Sequence, residues 1–224
     1  MGCVVSTCWL PQRPIHEYNR ALYDSFHTGD IILFEGSSFV SRGIELVTES
    51  AWSHIGFVIE TAQGEKYLLE SSRCSCHQRD ALSHNRDKTG CRLVLLDKRI
   101  RGYGDDDTVM AVRHIRFGKK TSRRKLAERM LHLCTELSSV EYNKDLYDMF
   151  MAVYDGPGGE MHGREHSRMF CSELVAYVAQ RLRWLEWEPS HKEYVPRDFD
   201  DRQAKYFPLT GRVEWSECRL FTVC

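Results

Sequence analysis

Apolar positions along this chain fall into short runs, and most of those runs read as strands. Ile31-Ile32-Leu33-Phe34 follows the turn residues Thr28-Gly29-Asp30 without a polar break, the pattern of a strand buried on both faces. His54-Ile55-Gly56-Phe57-Val58-Ile59 predicts a second strand, and Ala62-Gln63-Gly64 turns it into Tyr67-Leu68-Leu69-Glu70. Leu93 to Leu96 is a shorter apolar run, Val109 to Phe117 a longer strand, and short strands near 212–216 and 219–223 close the fold.

Helical spacing marks the remaining elements. Ile15, Tyr18, Leu22 and Phe26 predict a short helix leading into the domain, and Ser37-Ser38 cap one reaching about Thr48. Thr121-Ser122 cap a strongly amphipathic helix with Leu126, Met130, Leu133, Cys134 and Leu137 in register. Another helix covers about 145–154, and the last runs from near Phe170 to about Leu185. Residues 73–92 and 155–168 are polar, carry no period and read as loops. Strands and helices mix without regular alternation. The expected class is therefore α+β, with one domain over 15–224 behind a flexible tail at 1–14.

Composition narrows the partners. The apolar types make 42% of 224 residues and charged residues 28%, enough for a core without disulfides or metals. The 31 Lys+Arg against 32 Asp+Glu leave a net charge of −1, so nucleic acid is not an expected partner. No apolar run approaches the roughly 18 residues of a membrane span. Nine scattered cysteines, an odd number, point to a reduced, intracellular protein.

Cys171 is the leading candidate for chemistry. It stands in Phe170-Cys171-Ser172-Glu173-Leu174, where a polar loop gives way to a helix. Backbone N–H groups and the helix dipole favour a thiolate there, and the same groups can steady an oxyanion. The plain alternative is a small apolar residue in a helix. His54 begins an apolar strand, where scaffold would hold an imidazole base firmly; the alternative is a surface or capping histidine. With Ala62-Gln63-Gly64 as the loop, residue 54 faces 72 and stands diagonal to Glu70 on one face, within reach of a Glu–His hydrogen bond. A two-residue loop would put the pair on opposite faces.

These residues together carry a resemblance. Gly29-Asp30-Ile31-Ile32-Leu33-Phe34, Ser53-His54-Ile55-Gly56-Phe57-Val58, Glu70 and Phe170-Cys171-Ser172-Glu173-Leu174-Val175 resemble the circularly permuted papain-like hydrolases of the NlpC-type superfamily. The YiiX-like branch and its poxvirus relatives are the nearest in pattern. Tyr142 and Pro196-Arg197-Asp198-Phe199 resemble recurrent features of that branch, and the resemblance spans roughly 25–205. It implies a permuted papain-like fold, in which a helix carrying the cysteine packs on an antiparallel sheet or partial barrel. It also implies Cys171 as nucleophile, His54 as base and Glu70 as orienting acid. Trp52, Ser53 and Tyr142 are candidate substrate-pocket residues. The chain departs from the lecithin retinol acyltransferase branch, whose third residue is a histidine.

The first residues add a membrane signal. Met1-Gly2-Cys3-Val4-Val5-Ser6 fits N-myristoylation at Gly2, with Cys3 a natural palmitoylation site. One chain anchors only marginally, so a second signal is needed. Arg113, Arg116, Lys119, Lys120, Arg123, Arg124, Lys125 and Arg129, against Glu128 alone, form a basic segment able to attract anionic lipid; a solvated helix start is the alternative.

Other groups are weaker. Cys74, Cys76 and His77 with His84 and Cys91 lack paired Cys-x-x-Cys units for zinc. Asp105-Asp106-Asp107 lacks a calcium-loop pattern, and His162 and His166 lack the glutamate of a zinc-protease helix.

The expected protein is thus a cysteine-dependent amide hydrolase with a Cys-His-Glu triad. It uses no cofactor or metal, acts on a peptide or amide substrate and is held by lipid at the cytoplasmic face of a membrane, in a eukaryotic or virus-infected cell. The alternatives are a lipid or thioester acyl hydrolase or acyltransferase, and an inactive module that binds through the cleft.

Overall fold

The computed structural model describes residues 13–35, 50–73, 78–103, 108–143, 168–202 and 207–223. Expected elements at 37–48 and 145–154, residues 155–167 of the loop expected at 155–168, Gly2, Cys3, Cys74, Cys76, His77, Asp105–Asp107, His162 and His166 lie outside them.

One sheet organises the chain. Its strands are β1 (Ile15–Glu17), β2 (Ile31–Phe34), β3 (His54–Glu60), β4 (Lys66–Ser72), β5 (Gly90–Leu95), β6 (Met110–Arg113) and β11 (Arg219–Thr222), in the order β1-β11-β6-β2-β3-β4-β5. Neighbours are antiparallel except β1 and β11. Two small ladders join β7 (Ile115–Phe117) to β10 (Val213–Trp215) and β8 (Glu141–Tyr142) to β9 (Arg168–Met169). The described helices are α1 (Arg20–Asp24), α2 (Leu96–Tyr103), α3 (Arg123–Glu136) and α4 (Cys171–Arg181). The class is α+β with a mostly antiparallel sheet, as expected.

Both faces of the sheet are covered, which is why its central strands carry apolar residues on both faces. Ile31, Leu33, Ile55, Phe57, Leu69 and Ala111 pack in one core with Leu126, Met130, Leu174 and Val178 of α3 and α4. Their alternates Ile32, Phe34, Val58, Leu68, Met110 and Val112 pack in a second core with Leu22, Phe26, Leu96 and Ile100. α3 begins where expected, with Ser122 Oγ accepting from the Lys125 N–H.

The sheet has two distinct ends. Phe34 pairs with His54 and Met110 at one; Ile31 pairs with Phe57 and Arg113 toward the other. α3 starts at the second end, where Arg123 donates to the Thr28 and Ile115 carbonyls. α4 finishes there, and Trp184 just beyond it packs on Phe57 and Phe117.

Three expectations change. Ile15 to Glu17 is a strand, because β11 offers its backbone a partner and Asn19 caps the helix only later, accepting from the Leu22 N–H at 3.0 Å. The run from Val109 to Phe117 breaks at His114, where Asp30 takes the Ile115 N–H at 2.9 Å and the His114 ring at 2.8 Å. α2 arises within a stretch that had shown only a short apolar run.

Candidate active site

Cys171 is the first residue of α4 and is buried. The approach to it is fixed from two sides. Glu173 accepts the Phe170 N–H at 2.9 Å, the acidic half of a capping box, and Ser71 Oγ on β4 donates to the Met169 carbonyl at 2.7 Å. The first N–H groups of a helix have no intrahelical acceptor, so they point past Cys171 toward any oxygen bound beside it.

His54 opens β3. The β3–β4 ladder pairs Phe57 with Leu69 and closes at Glu60–Lys66, with Thr61 donating to the Glu65 carbonyl. Continuing that register sets 54 opposite 72, the arrangement expected from the Ala62-Gln63-Gly64 loop. The ladder stops at Phe57–Leu69, and beyond it His54 Nε2 lies 2.7 Å from Glu70 Oε2. Phe34 and Tyr103 flank the imidazole, their ring centroids 5.6 and 6.1 Å away. These partners belong to the α2 side of the sheet, whereas α4 packs on the other. The charge of Cys171 acts on His54, so the sulfur approaches the imidazole at the sheet's end. With Nε2 on Glu70, Nδ1 is the ring nitrogen left for the sulfur.

Glu70 is fully buried and surrounded by cations. Arg99 Nε donates to the same Oε2 at 2.9 Å, and Arg92 Nε lies 3.9 Å from Oε1. Burial pushes this carboxyl up, but Arg99, His54 and Arg92 outweigh it and hold it well below the usual carboxylate range. Glu70 is thus anionic and accepts the Nε2 proton. Burial alone would push His54 down; the charges of Cys171 and Glu70 and their hydrogen bonds reverse this and hold its pKa at about 9. The imidazole is therefore a cation at neutral pH.

The other expected site residues take different places. Tyr142 on β8 packs edge-on against Phe170, with ring centroids 5.9 Å apart, and burial and the charge of Cys171 push its phenol up. It stands at the site. Trp52 is fully buried and its indole N–H donates to Asp200 at 2.6 Å, so its contacts are those of a core residue rather than of a pocket wall. Ser53 is buried and extends the β2 pairing, its N–H on the Phe34 carbonyl at 3.0 Å. In the basic segment, Arg113 turns inward to the Phe199, Trp215 and Ser216 carbonyls, and Arg123 to Thr28 and Ile115. Neither belongs to a surface patch.

Arg99, Arg92 and Tyr103 are site residues that the sequence did not announce. Arg92 was within reach of register reasoning, since it pairs directly with Glu70 across β4 and β5. Among the described residues one group has metal-compatible donors, Asp200, Asp201 and Cys218. Arg202 and Trp52 already bind Asp200, and Arg13 and the Cys218 N–H bind Asp201. The carboxylates are thus neutralised by guanidinium groups. No described helix is long and apolar enough to cross a membrane.

No protein-family model matches this chain, and a search of curated proteins returns no match. Among solved structures, the chain is similar to the crystal structure of metalloprotein yiiX from Escherichia coli O157:H7. The identity is 18% and the TM-score 0.45, over 87% of this chain and 88% of that one.

Proposed function

We propose that the chain is a cysteine-dependent amide hydrolase of the permuted papain-like type, tethered to the cytoplasmic face of a membrane by acylation at Gly2 and Cys3. The observation that carries the reading is His54, which feels the charge of Cys171 and binds, through Nε2 at 2.7 Å, an anionic Glu70. The Cys171 thiolate attacks the amide carbonyl and a C–S bond forms. The C–N bond breaks as the amine takes the His54 proton. His54 then takes a proton from water, whose oxygen attacks the thioester; the C–S bond breaks and acid leaves. The first N–H groups of α4 hold the oxyanion in both steps.

An electrophilic thiol probe tests this on the purified chain, read peptide by peptide by mass spectrometry. Cys171 should label faster than the other cysteines, and His54→Ala should slow it by roughly 100-fold or more. Unchanged labelling in His54→Ala overturns the triad. The Gly2-Cys3 motif favours a second reading, lipid or thioester acyl transfer. Turnover of acyl lipids or thioesters without turnover of peptides would select it. Labelling with no turnover of either would select a binding module.

A further inference from the structure

The basic segment resolves into an inward and an outward set. With Arg113 and Arg123 engaged by buried carbonyls, Lys119 and Lys120 remain exposed in the loop before α3, and Arg124 and Lys125 in its first turn. Two cations from distant parts of the chain join them. Gly118 donates to the Arg212 carbonyl at 3.1 Å, which brings Arg212 beside Lys119. Thr210 Oγ1 donates to the Arg183 carbonyl at 2.8 Å, which brings Arg183 to the same surface. Among the described residues, Lys119, Lys120, Lys125, Arg183 and Arg212 have no acidic partner; Arg124 faces Glu128 at 3.8 Å.

We propose that this surface docks on an anionic lipid bilayer, with Cys171 at the opposite end of the molecule. The placement breaks a local rule, since the first turn of a helix favours acids and α3 has none there. The cations are not held by neighbouring side chains into a pocket for one phosphate; they form a diffuse field suited to a fluid lattice of headgroups. Nucleic acid would call for aromatic stacking surfaces, whereas Phe117 is half-buried beneath Arg123 and Trp184, beside Arg183, is buried. The described chain also enters the fold at this end. Arg13 lies on the Cys218 carbonyl, just before β11 begins beside Val112. The proposal goes beyond the hydrolase reading and does not depend on it.

The test uses the full chain produced without acylation and sedimented with vesicles at about 0.1 M salt. Vesicles with about 30% phosphatidylserine should bind it at least tenfold better than phosphatidylcholine alone, and about 0.5 M salt should abolish the difference. Lys119→Ala/Lys120→Ala/Lys125→Ala should weaken binding about 100-fold, near fivefold per charge. Arg79→Ala/Arg86→Ala, at exposed cations elsewhere, should leave it within twofold per charge. No preference for the anionic lipid, or equal loss in both variants, overturns the proposal. So does binding of a DNA duplex in place of vesicles. Alkylation of Cys171 by a water-soluble reagent should be unchanged on vesicles, and tenfold protection overturns the orientation. A Cys171 inert in free solution defeats the hydrolase reading alone, because sedimentation does not need it.

Discussion

Replacing Glu70 by Gln isolates the charge that sets the state of His54. Gln keeps the shape and an acceptor oxygen but removes the anion, which lies 2.7 Å from His54 Nε2, 2.9 Å from Arg99 and 3.9 Å from Arg92. An opposite charge at such range shifts a pKa by roughly 1–3 units, or about 1.4 kcal/mol per unit. The His54 midpoint should therefore fall from about 9 to roughly 6–8. Arg99, no longer neutralised, acts in the same direction. The buried guanidinium groups lose their anion at a cost of roughly 3–5 kcal/mol, against a total stability on the order of 5–15 kcal/mol. The variant should fold, with a clearly lower Tm.

Titration of the histidine ring signals by NMR reads the shift directly, with His54→Ala assigning the resonance. Two charges raise the His54 midpoint, so the sulfur must be separated from the carboxylate. Cys171→Ser should also lower the midpoint, because the charge on the sulfur is one of the two that raise it. In the double variant burial and the unneutralised Arg99 act together, and the midpoint should drop below the roughly 6.5 of an unperturbed histidine. An unshifted midpoint in Glu70→Gln would refute the electrostatic reasoning. So would a wild-type midpoint already near 6.5.

The same ion pair predicts that hydrolysis, once a substrate is found, declines above pH 9 as His54 loses the proton it must give the leaving amine; a rate still rising at pH 10 would contradict it. Gly90→Ala should cost roughly 2–5 kcal/mol in thermal or denaturant unfolding, because φ is +82° and the new Cβ would collide with the Val140 carbonyl and the Glu141 backbone. Gly64→Ala, at the same φ but in open space, should cost about 1 kcal/mol, and equal losses at the two sites would defeat the steric argument. Arg113→Met leaves three carbonyl acceptors, two of them buried, without their donor and should cost roughly 3–5 kcal/mol by the same measurement, with Arg20→Met on exposed α1 near zero.

What was legible in the sequence was set by how local each signal is. The strands at β2, β3 and β4 show because central strands covered on both faces must be apolar, and the Gly64 turn carries enough information to set His54 diagonal to Glu70. α3 shows because its cap and its apolar stripe agree. α2 hides because one of its buried positions is Arg99, between Leu96 and Ile100, and a cation there breaks the stripe a reader looks for. That cation serves Glu70, so the feature that concealed the helix belongs to the site. Trp52 misleads for a different reason. Its partner Asp200 is 148 residues away, and neighbouring sequence cannot tell a core indole from one lining a pocket. The basic segment divides for a similar reason: a count of charges does not reveal which guanidinium groups reach buried carbonyls.

The hydrolase reading and the docking surface constrain each other through α4. Cys171 begins that helix and Arg183 lies just past its end, so eleven residues at 1.5 Å each separate the thiol from the basic surface by about 16 Å. Ester carbonyls of bilayer lipids lie below the headgroups, on the far side of the surface that the lysines would contact. A chain docked by those lysines holds its thiol above the membrane, facing water, where a peptide or an exposed protein segment can reach it and a lipid acyl group cannot. The geometry that would anchor the protein therefore favours amide over lipid as the bond broken. The two readings part cleanly: a substrate drawn from the bilayer would require the surface around Cys171, not the one around Lys119, to meet the lipid.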